Sequence, residues 1–95
     1  MNRAKPNERR RVFYSGNVQG VGFRVTVRQI AQPLMLHGFV RNLREGDVEV
    51  LVEGEGGVID QFLAQIATRM ERHITECKVT RETPTGEFGS FEITR

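Results

Sequence analysis

Arg11-Val12-Phe13-Tyr14-Ser15-Gly16-Asn17-Val18-Gln19-Gly20-Val21-Gly22-Phe23-Arg24 is the stretch on which the reading of the fold turns. Val12, Tyr14 and Val18 recur at even spacing around Gly16, the period of a strand with one buried face. From Phe23 the period changes: Phe23, Val27, Ile30, Ala31 and Leu34 fall three and four apart, as the apolar stripe of a helix requires. The spacing therefore predicts a strand over 11–18, a glycine-bearing loop, and a helix over roughly 23–33.

Outward from this unit the pattern alternates again. Residues 39–43 and 48–52 have strand character, and Arg44-Glu45-Gly46-Asp47 offers the Gly and Asp of a hairpin connection. Gly54-Glu55-Gly56-Gly57 interrupts, and Val58, Ile59, Phe62, Leu63, Ile66 and Met70 then lie at helical spacing, predicting a second helix over about 57–71. Thr75, Cys77 and Val79 alternate with charged residues, Pro84-Thr85-Gly86 marks a turn, and Phe91 and Ile93 alternate once more. The order is βαββαβ with one extra strand near the C-terminus. Two helices can then cover one face of a mainly antiparallel sheet, which predicts an α+β class, ferredoxin-like α/β sandwich.

Ninety-five residues suffice for one core and not for two. We expect a loose basic tail over 1–10, which carries no apolar run for a signal peptide or a membrane span, and one domain over 11–95. The net charge of +2 is only mildly basic. Cys77 is the single cysteine, so no intrachain disulfide can form, and a reducing, cytoplasmic setting and a monomer are expected. His37 and His73 lack companions at metal-ligand spacing and Cys77 reads as a small core side chain, so neither a metal site nor a cofactor is expected.

The loop between strand and helix is where anion sites form. Gly16, Gly20 and Gly22 permit backbone geometries that converge N–H groups on one point, in line with the positive end of the following helix. Arg24 could grip two phosphate oxygens at once, and a cation in the first turn opposes the helix dipole, so a bound anion would account for its place. On these residues alone a phosphate cradle and an ordinary strand-to-helix turn both stay open.

Three segments together resemble the acylphosphatase family: Val18-Gln19-Gly20-Val21-Gly22-Phe23-Arg24, then Gly38-Phe39-Val40-Arg41-Asn42, then Glu45-Gly46-Asp47-Val48-Glu49. The resemblance spans residues 12–54 with its spacing intact. It implies the same sandwich, hydrolysis of a small-molecule acyl phosphate to carboxylate and orthophosphate, no metal or cofactor, and no covalent intermediate. Carried across, the loop Val18, Gln19, Gly20, Val21, Gly22 and Phe23 binds the phosphate with Arg24, and Asn42 positions water. Departures are local. Leu34-Met35-Leu36 stands where Leu-Gly-Leu is frequent, Pro33 precedes it, Glu45 and Phe39 replace Asp and Trp, and a Gly-Pro run is absent around Arg72-His73-Ile74. Pro33 predicts an early or kinked helix end and a strained Met35.

The implied chemistry needs few groups. A carboxylate leaving group has a conjugate acid of pKa about 4, so a general acid adds little. Holding the phosphoryl group, neutralising its oxygens and aiming a water remain. Asn42 can orient a water without deprotonating it, leaving the substrate's phosphate as base by family analogy. Residue alternation sends Arg41 to the opposite sheet face, away from the pocket. As a turn residue, Asn42 would need no such role. Two other classes compete: a ferredoxin-like RNA-binding module, for which only Tyr14 and Phe39 are candidate stacking aromatics, and an anion-binding relative without turnover. Neither nucleic acid nor a membrane is the expected partner.

Overall fold

The computed structural model describes residues 8–95. Seven elements follow in order: β1 (Glu8–Gly16), α1 (Phe23–Ala31), β2 (His37–Asn42), β3 (Val48–Gly54), α2 (Gly56–Arg69), β4 (Ile74–Glu82) and β5 (Phe91–Ile93). The strands form one sheet in the order β4-β1-β3-β2-β5, antiparallel throughout except where β5 runs parallel to β2. Both helices lie on one face, which is the expected ferredoxin-like sandwich with its extra strand at the sheet edge.

The core is the face where the even-numbered positions of β1, β2 and β3 meet the helices. Val12 pairs with Val50 and Tyr14 with Val48, and Val27, Ile30, Ile59, Phe62 and Ile66 close over them. Each such side chain contributes about 1.5–3 kcal/mol when fully buried. The opposite face is held by charge. Glu49, only 3% exposed, accepts from Arg11 and, at 2.7 Å, from Arg41. Arg41 thus faces away from the helices, as alternation requires.

Glu53, 2% exposed, does more. Its carboxylate accepts the Thr85 N–H at 2.8 Å, the Gly86 N–H at 2.9 Å and the Thr85 hydroxyl at 3.2 Å, with Arg9 at 3.5 Å. It clasps the 83–90 segment against the sheet, and Phe88 packs edge-on to Phe39 there. Charge-assisted bonds of this kind, sheltered from water, are the strong ones. The clasp sets where β5 begins.

The structure corrects four expectations. First, β1 begins at Glu8 and ends at Gly16, so residues 8–10 of the expected tail are strand and the strand stops short of Val18; residues 1–7 of that tail lie outside the described residues. Arg10 earns its place by donating to Asp60 at 2.6 Å and to Glu8 at 2.8 Å. Second, α1 stops at Ala31, two residues before the expected end, although Gln32 keeps right-handed helical angles in front of Pro33. Third, α2 starts at Gly56 and ends at Arg69. Fourth, Cys77 is exposed, because β4 is an edge strand beyond the cover of the helices.

The end of α1 holds the expected strain. Met35 sits at φ 58° and is 80% exposed, and the Leu36 N–H reaches back to the Ala31 carbonyl at 3.2 Å, the six-to-one bond of a glycine-type helix stop. A left-handed L-residue costs roughly 1–2 kcal/mol, and glycine's extra unfolded-state freedom returns about 0.5–1. Met35→Gly is therefore expected to stabilise the fold by about 0.5–1 kcal/mol in urea unfolding; destabilisation would contradict the strain.

Candidate active site

The loop after β1 is pinned at its base and open at its tip. Val18 is fully buried in the core. The Gln19 side-chain amide donates to the Leu43 carbonyl at 2.7 Å and to the Asp47 carbonyl at 2.9 Å. Those carbonyls flank the β2–β3 connection, closed by the Leu43 N–H to the Asp47 carbonyl at 2.8 Å. Gln19 therefore locks the loop to the hairpin that carries Asn42. Sequence spacing assigned it to the phosphate loop and could not reveal this clasp, whose partners lie 24 and 28 residues away.

Beyond Gln19 the glycines take over. Gly20 and Gly22 have φ of 78° and 77°, a region that residues with a side chain rarely enter, and a Cβ at either would project into open space. Backbone strain, and not crowding, thus selects glycine here. Gly22 is also the N-cap of α1, and the first helical bond runs from the Thr26 N–H to the Gly22 carbonyl at 3.0 Å. Among the described residues, the N–H groups from Gly20 to Val25 donate to no protein acceptor. A run of unspent donors at a helix N-terminus attracts an anion through both hydrogen bonds and dipole.

A cleft of about 150 Å³ opens over this run, lined by Val18, Gly20, Gly22, Phe23, Arg24, Val25, Asn42 and Ile93. Arg24 is partly exposed and makes no ion pair or side-chain hydrogen bond among the described residues, whereas Arg9, Arg10, Arg11 and Arg41 all face carboxylates. Asn42 stands at the end of β2, opposite Val48 and on the helix side of the sheet. Its Oδ1 is shielded from solvent and accepts no hydrogen bond. Buried acceptors of this kind are normally paired with protein or with ordered water, and no protein group fills that role here.

The structure thus brings Arg24 and Asn42 to one cleft with Val18, Gly20, Gly22 and Phe23. Val21 instead packs against the edge of the core, and the Gln19 side chain turns to the hairpin. Sequence reasoning missed Val25 and Ile93. Val25 lies off the apolar stripe of α1, and that mismatch was its one signal. The RNA-binding reading loses its aromatics: Tyr14 is 2% exposed against Phe23, and Phe39 is engaged by Phe88 and the Arg41 guanidinium.

Comparison with known proteins converges on one family. The acylphosphatase family profile matches residues 10–93. An acylphosphatase of Rubrobacter xylanophilus is 46% identical over 63 residues, covering 66% of this chain and 57% of that protein. One from a Roseiflexus species is 38% identical over 86 residues, 90% of this chain and 92% of the relative. The crystal structure of acylphosphatase from Bacillus subtilis superposes with a TM-score of 0.83 at 29% identity, covering 93% of this chain and 99% of that one.

Proposed function

The chain belongs to the acylphosphatase family, and from that premise we propose that it cleaves acyl phosphates by direct attack of water at phosphorus, with Arg24 and Asn42 as its catalytic residues. The observation that carries this reading is the cleft itself. It joins an uncommitted guanidinium, a run of unspent N–H donors and the side-chain amide of Asn42.

The phosphoryl dianion is received by the N–H groups that follow Gln19 and by the fork of Arg24, which spread its charge over several donors. The donors are fixed before substrate arrives, because Val18 and the Gln19 clasp hold the loop, so little reorganisation is needed in the transition state. The side-chain amide of Asn42, which lines the cleft, hydrogen-bonds the attacking water and orients its lone pair towards phosphorus. The new P–O bond forms as the acyl oxygen departs with the bonding pair as a carboxylate. The water's proton passes to a phosphoryl oxygen, and orthophosphate and carboxylate leave. No side chain has to change its protonation state.

The cleft is complete within one chain, which makes a monomer sufficient. With Cys77 free and exposed, a reducing compartment such as the cytoplasm suits the protein. Among the described residues no helix is long and apolar enough to cross a membrane.

Purified protein is expected to hydrolyse benzoyl phosphate with Michaelis kinetics, undiminished by EDTA, and orthophosphate should inhibit competitively. Well-folded protein that binds orthophosphate without turnover would leave an anion-binding module in place of an enzyme.

A further inference from the structure

Val25 is the unexplained member of the cleft. It is 45% exposed, one of only three large exposed hydrophobic side chains among the described residues, and the other outward positions of α1 carry Arg24, Thr26, Arg28 and Gln29. A single surface valine is ordinary. This one lines the same cleft as Arg24 and shares that lining with Ile93, which packs partly against the core from β5. Ile93 pairs with Val40, two residues before Asn42 on the same face. Of the cleft's four apolar side chains, Val18 and Phe23 are buried in the core, which leaves Val25 and Ile93, one from each bank, accessible beside the groups that take the phosphate.

The charges around them sharpen the point. Among the described residues no acidic side chain lines the cleft, and the one cation there, Arg24, is committed to the phosphoryl group. A carboxylate or ammonium on the acyl half would find no partner there, and desolvating it against Val25 and Ile93 would cost affinity. An uncharged apolar or aromatic acyl group would instead cover both side chains.

We propose that Val25 and Ile93 form an acyl-binding rim that selects acyl phosphates with an uncharged, apolar or aromatic acyl group. This rests on the hydrolase reading and adds the half of the substrate that the phosphate loop does not touch. Shielding half of an aromatic ring is worth on the order of tenfold in kcat/KM.

The test is the ratio of kcat/KM for benzoyl phosphate to that for acetyl phosphate, measured in the unaltered protein, Val25→Ser and Val25→Leu. Comparing ratios cancels the intrinsic reactivities of the two compounds and any common loss of activity. Val25→Ser should lower the ratio about tenfold, and Val25→Leu should raise it a few-fold, with the orthophosphate inhibition constant reporting an intact loop. A ratio unmoved in both variants, with turnover present, overturns the rim and leaves the hydrolase standing. If the unaltered protein turns over neither compound, the hydrolase reading falls and takes the rim with it.

Discussion

Replacing Arg24 by alanine should lower kcat/KM for benzoyl phosphate by about a thousandfold or more and weaken orthophosphate inhibition along with it. Arginines that stabilise a transferring phosphoryl group are worth 10³–10⁵ in rate, about 4–7 kcal/mol. Here the effect should fall on binding as well, because no other side-chain cation among the described residues lines the cleft. Arg24→Lys keeps the charge and loses the fork, so it should recover only part of either quantity. Folding should not suffer, since Arg24 has no ion pair among the described residues and opposes the dipole of its own helix. An alanine variant with unaltered phosphate inhibition would remove Arg24 from the site.

Asn42→Ala should separate rate from binding. Loss of one preorganised hydrogen-bonding amide at a reacting centre costs about 10²–10³ in kcat. The orthophosphate inhibition constant should stay within about twofold, because the phosphate is held by the loop and Arg24. Stability should change little, because the Asn42 oxygen has no protein hydrogen bond to lose. Equal losses of rate and phosphate affinity would contradict the division of labour between the two residues.

Much of this was legible locally. The change of period at Phe23 marks the strand-loop-helix unit, and alternation along β2 sends Arg41 and Asn42 to opposite faces as found. What could not be read depends on partners far along the chain. Glu8, Arg9 and Arg10 look like a solvated tail until Glu53, Asp60 and Glu82 are placed beside them. Cys77 and Val79 alternate like core residues, yet they stand on an edge strand that the helices do not reach. Gln19 belongs to the loop motif by sequence and to the hairpin by its bonds. Pro33 does end the helix early, yet Gln32 in front of it keeps helical angles, and the reversal of the chain falls later, at Met35.

The clasp at Glu53 also bears on how the site breathes. β5 has only three residues and pairs with β2 alone, so its ladder supplies little resistance to local opening. What holds it down is the 83–90 segment bonded to one buried carboxylate, together with Phe91, which is 1% exposed and edge-on to Phe62 in the core. The phosphate side is likewise rooted in the core, through Val18, whereas the 83–90 segment is largely exposed. Segments with few buried contacts open at free energies well below global unfolding. Excursions that release the clasp would therefore loosen the 83–90 segment first, while Phe91 and Val18 keep both banks of the cleft anchored, so that the rim of the molecule can fluctuate without the cleft losing its shape.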